Sequence, residues 1–598
     1  MSIKESVLSS IEQEIVGFFV DHGVKSPTVV LERPADFEHG DISTSVALKC
    51  AKTLGKDPYT LAQDVASHIS KKQLQHIHKV EAVKPGFVNI FFDQAFFEKI
   101  LGEILKLKTD FGNNTSLKGQ KWVIEHTSPN PNKAMHLGHL RNNLVGMSLV
   151  RTLSCNGATV VSDAIDNNRG IAIAKLMWGF LAHMRKNENV PIEIEYWNSH
   201  SEQWFSPKEL GLLPDMFITK CYISGELDFK GNPVVENKIR ELVARWEAKE
   251  EDVWNLWSHM LAYAYEGMER TLSRLGNHWD KIWHEHEHYQ KGKDFVEKGL
   301  GKGVFKRLED GAVLTDLSHY NLSDTILLKN DGTSLYITQD IALTALKKDF
   351  YNAEKLLWVI GPEQSLAMKQ LFAVCEQLGI GLLEDFMHVS YGYVGLKGDN
   401  GSFTKMSSRE GTVVLIDDVI DAARDKILQR FVFEGKEEND ELRDLSEKMA
   451  LAAVKFSILK PDRTQDIVFD TDQSIETTGD SGVYVLYSYV RTQSILRKGA
   501  GKKLTKTNSL ARPGQEGNLV KLLMFFPDMV KRAKEDLSAH HIAQYLLEVC
   551  SAFNTWYAKE TILDESEQQY HKLAITEAVG VVIKNGLSIL GIETIEQI

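Results

Sequence analysis

Nothing in this sequence of 598 residues runs apolar for eighteen positions, so no transmembrane helix and no membrane partner are expected. No signal peptide is expected either, because Lys4 and Glu5 lead straight into an amphipathic pattern. Cysteine is scarce: Cys50, Cys155, Cys221, Cys375 and Cys550 are scattered with no CxxC pair. That spacing argues against structural zinc and for a reducing, cytoplasmic compartment. Positive charge is in deficit, with a formal net charge of -13, which argues against non-specific coating of nucleic acid. A large RNA partner needs only local basic surface and stays open. At this length, with 43% hydrophobic residues, the chain divides into about three to five domains.

What is present centres on WVIEHTSPNPNKAMHLGHLR (122–141). A short apolar run, Trp122-Val123-Ile124, enters a turn rich in Ser, Pro and Asn. The turn opens a segment whose apolar residues Leu140, Leu144, Met147, Val150 and Leu153 recur at helical spacing. Asn156-Gly157 is a good left-handed stop, and ATVVSDAI (158–165) reads as the next strand, giving a β-α-β unit with its turn at a strand's carboxyl end. Inside the turn, His136 and His139 share one face of the first helical turn. Gly138 lies between them, where a side chain would obstruct a ligand. First-turn amides and the helix dipole favour an anion there, and two imidazoles add donors suited to a phosphate.

A second element lies far downstream. Lys405-Met406-Ser407-Ser408 follows the Gly-rich GLKGDNGSFT and precedes Arg409-Glu410-Gly411-Thr412. One Lys and two hydroxyls on a Gly-flanked loop can bring charge onto a triphosphate.

In this order, the two elements resemble the HIGH and KMSKS signatures of class I aminoacyl-tRNA synthetases. EHTSPNPNKAMHLGHLRNNLVG, DGTSLYITQDIA (331–342), VIGPEQSL (359–366) and TKMSSREGTVV (404–414) are similar to the arginyl-tRNA synthetase form of those segments, over nearly the whole chain. The resemblance implies an α/β fold. A class I Rossmann-like catalytic domain with a parallel sheet would occupy 118–470, with a Trp-rich, charged insertion at roughly 185–275 that covers rather than catalyses. A small α+β amino-terminal domain that contacts tRNA would occupy 1–112, and an all-α anticodon-binding bundle 475–598. Strands are readable at 122–126, 158–165, 355–361 and 388–396.

The same resemblance implies an arginine–tRNA ligase using L-arginine, ATP with its Mg²⁺, and tRNA-Arg, acting as a monomer. His136, Gly138 and His139 would bind the nucleotide, with Lys133 reaching its phosphates. Lys405, with Met406, Ser407 and Ser408, would neutralise the leaving pyrophosphate. A guanidinium is planar, forked and permanently charged, so carboxylates placed for bidentate bonds read it best. By resemblance Asp340 and Glu285 take it and Tyr336 closes the pocket, while Asn130 and Gln364 orient the amino and carbonyl groups beside Glu125. Glu410 and Asn168-Arg169 depart from the commoner family residues.

HWDKIWHEHEHY (278–289) sets His284, His286 and His288 at alternate positions, which on a strand would put three imidazoles on one side, yet no metal site is expected. Gly40-Asp41 reads either as a helix cap or as an RNA contact. In the carboxyl-terminal region Tyr484, Tyr487 and Tyr557, near Arg491 and Lys502-Lys503, are candidates for stacking unpaired bases and holding phosphates.

Overall fold

The computed structural model describes residues 2–331, 335–397, 403–404, 414–500, 515–566 and 568–598. Lys405, Met406, Ser407, Ser408, Glu410 and Lys502-Lys503 lie outside the described residues.

The chain opens with the helix Ile3–Asp21, started by a capping box of Ser2 and Glu5, and its stripe Val7, Ile11, Ile15 and Phe18 is buried. It packs with a small antiparallel sheet of order β1-β3-β2, formed by β1 (Ile42–Thr44), β2 (Ile77–Val83) and β3 (Phe87–Phe92). Asp41 caps no helix, since it leads into β1. It is 1% exposed, its Oδ2 accepts the Phe92 N–H at 2.7 Å, and its Oδ1 pairs with Lys521 Nζ at 2.8 Å. Lys521 belongs to a carboxyl-terminal helix, so the first and last parts of the chain are held together here. Glu5 with Lys531 (2.7 Å), Arg33 with Glu548 (2.8 Å) and a Phe37–Phe525 stack extend the same junction.

The central sheet is parallel, with order β11-β10-β4-β5-β6. Its first three strands are β4 (Lys121–Glu125), β5 (Thr159–Asp166) and β6 (Lys281–His284). A separate antiparallel sheet follows, from β7 (Phe305–Arg307), β8 (Val313–Thr315) and β9 (Thr325–Leu328), before β10 (Lys355–Val359) and β11 (Phe386–Val389) return to the centre. The apolar runs Trp122-Val123-Ile124 and Leu356-Leu357-Trp358-Val359 are buried, as strands covered on both faces must be. The stretch expected as one strand at 388–396 is two. β11 ends at Val389, and β12 (Val394–Lys397) joins another sheet with β13 (Phe403–Thr404) and β14 (Ile467–Phe469).

From β4 the chain walks outward to β5 and β6, then returns to place β10 on β4's other side. That reversal opens a crevice above the carboxyl ends of β4 and β10, where open α/β sheets bind ligands.

The helix Leu137–Cys155 ends at Asn156, with Gly157 at φ +90°, as its sequence indicates. Its buried surface is wider than the apolar stripe: Arg141, Asn143, Ser148 and Thr152 are buried as well. The reason is double coverage, since the helix lies against β4 and β5 on one side and against later helices, including Phe526–Glu535 and Gln569–Ile589, on the other. Truncating its fully buried Leu140 to Ala would cost about 2–5 kcal/mol.

The Trp-rich insertion has a core of its own that takes in Phe217, Leu256 and Met260. That core also includes Leu176 and Phe180 of the helix Ile171–His183, which lies ahead of residue 185. The close crossing of this helix with Pro214–Gly231 requires glycine: a Cβ on Gly179 would sit 1.8 Å from Cys221 O. The carboxyl-terminal part consists of the helices Gly482–Gly499, Gln515–Leu523, Phe526–Glu535, His540–Lys559 and Gln569–Ile589. Among the described residues no helix is long and apolar enough to cross a membrane.

Candidate active site

His136 is the N-cap of the helix Leu137–Cys155, and its ring Nδ1 accepts the Gly138 N–H at 3.2 Å. His139 Nδ1 in turn accepts the His136 N–H at 3.1 Å. A ring nitrogen that accepts carries no proton, so both imidazoles present an Nε2–H donor when neutral. Neutral is their state: burial, aided by Lys133, brings His136 down to about 4, and burial with His136 and Lys133 nearby holds His139 well below its usual range. The two rings stack with centroids 3.9 Å apart. Gly138 keeps its place for a local reason, since a Cβ there would lie 3.0 Å from the His136 ring. Lys133, whose pKa burial lowers, makes no ion pair among the described residues. Two N–H donors, a lysine and a helix start thus converge on one spot, the chemistry of a phosphate site.

The stretch Lys405–Ser408 is outside the described residues, but the chain that follows it is fixed against this spot. Leu137 N donates to Val414 O at 3.3 Å and Ile416 N to Met135 O at 3.2 Å. The downstream loop therefore ends one strand-width from His136.

At the other end of the crevice the side chains are acidic. Glu125 closes β4, Glu285 follows β6, and Asp340 lies in the first turns of the helix Tyr336–Tyr351. Burial, with Glu125 and Glu285 close by, pushes the Asp340 carboxyl up to about 7. Burial also raises Glu285, against the pull of Arg169 Nη1 at 3.4 Å. Three carboxylates that disfavour one another's ionisation form a place for a cation. Tyr336 shares a helical face with Asp340, but its ring is 85% exposed and stands at the rim instead of covering the carboxylates.

Asn130 lies in the turn after β4, and Gln364 follows β10. Asn167 Nδ2 donates to Asn130 Oδ1 at 3.2 Å, which fixes the amide and leaves Asn130 Nδ2 to donate to a ligand's oxygen. Gln364 ends the short helix Pro362–Gln364 after β10 and is exposed.

Residues 101–191 and 199–471 match the family of tRNA synthetases class I (R), catalytic domain. Residues 2–92 match the arginyl tRNA synthetase N terminal domain, and 485–598 the DALR anticodon binding domain. The arginine–tRNA ligase of Treponema denticola is 33% identical over 582 residues, which cover 95% of this chain and 94% of the relative. The chain belongs to the arginyl-tRNA synthetase family. The arginine–tRNA ligase of Phocaeicola vulgatus is 30% identical with both chains covered in full, at 100% each. The arginyl-tRNA synthetase of Thermus thermophilus has the same fold, with a TM-score of 0.79 at 23% identity over 99% of this chain and 100% of that one.

Around the crevice of this synthetase lie side chains whose partners the sequence did not announce. Lys347 Nζ lies 2.6 Å from Glu125 Oε2 and 2.9 Å from Asp163 Oδ1, with its side chain 1% exposed. Arg169 bonds Glu247 of the insertion at 2.5 Å and lies over the Tyr289 ring at 4.1 Å. The insertion does more than cover: Thr219 Oγ1 accepts the Ala134 N–H at 2.7 Å, and Tyr265 donates to Asp166 at 2.5 Å. A lysine, an arginine and a threonine in helical or loop sequence carry no signal of such partners.

The three alternate histidines do not line one strand face, because β6 ends at His284 and a helix starts at Glu285; the His284 and His286 rings stay 5.7 Å apart, but each bonds a different partner. His284 Nδ1 pairs with Asp166 at 2.7 Å, His286 Nδ1 bonds Asn168 at 2.9 Å, and His288 is buried apart. Among the described residues no group of His, Cys, Asp and Glu is arranged to hold a metal.

In the carboxyl-terminal helices Tyr484 and Tyr487 are partly buried, and Asn554 donates to Tyr484 OH at 3.0 Å. Tyr557 is 41% exposed, with the Arg491 guanidinium 5.0 Å from its ring centre. Of the four candidates, Arg491 and Tyr557 are the pair that offers a cation and a ring face together.

Proposed function

We propose that this synthetase activates L-arginine in the crevice between β4 and β10 and then charges tRNA-Arg. The arginine carboxylate attacks the α-phosphate of ATP, forming arginyl-adenylate and releasing pyrophosphate. The terminal ribose hydroxyl of tRNA then attacks the acyl carbon, displacing AMP. Both steps rely on positioning and charge stabilisation more than on a protein nucleophile.

The observation that carries this reading is the polarity of the crevice: neutral Nε2–H donors and Lys133 at one end, Glu125, Glu285 and Asp340 at the other. In this reading His136, His139 and Lys133 hold the phosphates, with Lys405 arriving from the downstream loop. Asp340 and Glu285 take the guanidinium, and Glu125, Asn130 and Gln364 orient the α-amino and carboxyl groups. Tyr336 closes over the side chain once arginine is bound. Mg²⁺ enters with ATP, and no zinc is required.

The domains expected at 1–112, 118–470 and 475–598 would serve tRNA contact, catalysis and anticodon reading, with Arg491 and Tyr557 the first residues to test on RNA. A cytoplasmic monomer is the corresponding assembly.

The decisive experiment measures pyrophosphate exchange and charging of bulk tRNA with each of the twenty amino acids, with and without tRNA in the exchange assay. Arginine alone should support charging. A higher kcat/KM for another amino acid, or no charging with arginine, would overturn the reading.

A further inference from the structure

Lys347 is a lysine with almost no access to water. It lies seven residues after Asp340 on the helix Tyr336–Tyr351, so the two share a face two turns apart. Its Nζ bridges the end of β4, through Glu125 at 2.6 Å, and the middle of β5, through Asp163 at 2.9 Å. The other Asp163 oxygen accepts from Trp283 Nε1 at 2.9 Å and from Tyr351 OH at 3.1 Å. Burial alone would lower the lysine's pKa, but Asp163 and Glu125 together hold it above its usual value. The ammonium therefore stays charged.

Around it the acidic groups outnumber the cations. Glu125, Asp163, Glu285 and Asp340 face Lys347 and Arg169, and Arg169 is also bonded to Glu247 at 2.5 Å. Asp166 is held separately, by His284, Tyr265 and Asn168. Such a surplus of acidic groups suits arginine, which brings a guanidinium and an α-ammonium.

We propose that Lys347 is a positioning residue that sets arginine affinity. By opposing the burial and the Asp163 charge that push the Glu125 carboxyl up, it favours an ionised Glu125 for the α-ammonium and leaves Asp340 for the guanidinium. This rests on the arginine-pocket reading above. Without the ammonium, two buried carboxylates side by side cannot both stay ionised, and a proton from water is shared between them. The α-ammonium would then meet a hydrogen-bond donor. The groups that set this titration are Lys347 and Asp340 on one helix, Asp163 on β5, Trp283 on β6 with Glu285 and His288 after it, and Trp358 on β10, which hydrogen-bonds Glu125.

The test compares Lys347→Met, Lys347→Arg and Lys347→Ala in tRNA-dependent pyrophosphate exchange between pH 6 and 9. Lys347→Met should raise the KM for arginine by about tenfold or more near neutral pH, with the defect shrinking as pH rises, while the KM for ATP stays within about twofold. Lys347→Arg keeps the charge and should return to within about threefold of the parent. Ethylammonium should restore at least about fivefold to Lys347→Ala, by filling the lost position.

A parental KM and pH profile in Lys347→Met would overturn the proposal. So would a Lys347→Arg as impaired as Lys347→Met, because that marks a packing role. Should Lys347→Met fail to fold, Lys347→Arg and the ethylammonium rescue decide alone. Failure of the unaltered protein to activate arginine sinks the pocket reading itself, whereas a normal parent with insensitive variants sinks only the role of Lys347.

Discussion

At the histidine end of the crevice, His136, His139 and Lys133 come from one short stretch of chain and the start of one helix. At the acidic end, Glu125, Glu285, Asp340 and Lys347 come from β4, the turn after β6 and the helix Tyr336–Tyr351. The first end is built by local geometry: each imidazole accepts a backbone N–H, and that bond fixes its tautomer. The second is built by topology, because only the sheet order brings those strands and that helix together. The difference sets what each end can do. The histidine end donates hydrogen bonds without carrying imidazolium charge, suited to a phosphate whose charge shifts during reaction. The acidic end holds a surplus of negative charge in a dry place, suited to a permanent cation.

The comparison breaks most visibly at Lys405. Lys405→Ala should slow adenylate formation by about a hundred- to a thousandfold, the effect of losing one group aimed at developing charge, and leave the KM for arginine within a few-fold. Single-turnover formation of adenylate at saturating arginine measures it, and an unchanged rate would remove Lys405 from the chemistry.

The matching change at the acidic end is Asp340→Asn. It keeps the shape, removes the charge and turns one acceptor into a donor facing a donor. The kcat/KM for arginine should fall by about 2–4 kcal/mol, on the order of a hundredfold, because a buried cation loses its partner. Citrulline, neutral and isosteric, should lose far less, so both ligands on both proteins form a four-point cycle. Equal losses would make Asp340 a structural residue.

How far each end was legible in the sequence follows the same division. The strand, turn and helix around His136, and the stop at Asn156-Gly157, are set by neighbours in sequence and match the structure. The acidic residues were named only through resemblance to relatives, since nothing in the spacing of Glu125, Glu285 and Asp340 says that they meet. Lys347 was not seen at all: a lysine on a helix reads as solvated, and only the packing of that helix over β4 and β5 buries it. The histidine trio misled in the other direction. Alternation at 284, 286 and 288 suggests one face of a strand, but the strand ends at His284 and the period changes. The structural partner of Asp41 is equally invisible in its neighbours, because Lys521 lies 480 residues away.

A smaller effect separates the two ends by pH. With its carboxyl at about 7, Asp340 carries a proton in the free enzyme on the acid side of neutrality, and arginine must expel that proton to bind. The kcat/KM for arginine should therefore rise with pH to a plateau above that value, and fall about tenfold per unit well below it. His136, at about 4, and His139, held well below its usual range by burial, are neutral throughout and add no limb there. The limb should vanish in Asp340→Asn. If it persists there, the titrating group lies elsewhere.

The smallest predicted effect tests whether the insertion acts on the histidine end alone. Thr219 lies on the insertion helix Pro214–Gly231. Its Oγ1 accepts the Ala134 N–H at 2.7 Å and donates to Asp215 O at 2.7 Å. Ala134 sits between Lys133 and the HxGH histidines and is 3% exposed, so its amide has little access to water as an alternative. Thr219→Val preserves the volume and removes the acceptor, leaving that N–H without a partner at about 1 kcal/mol, the low end for a buried donor. The turn can relieve the loss only by shifting toward solvent, which moves Lys133 and the helix start. The KM for ATP should therefore rise by about fivefold while the KM for arginine stays within about twofold. Thr219→Ser, which restores the acceptor, should return both to the parent values. An equal rise in both constants for Thr219→Val would mean that the insertion supports the whole crevice, and the division between its two ends would not extend to the elements that hold them.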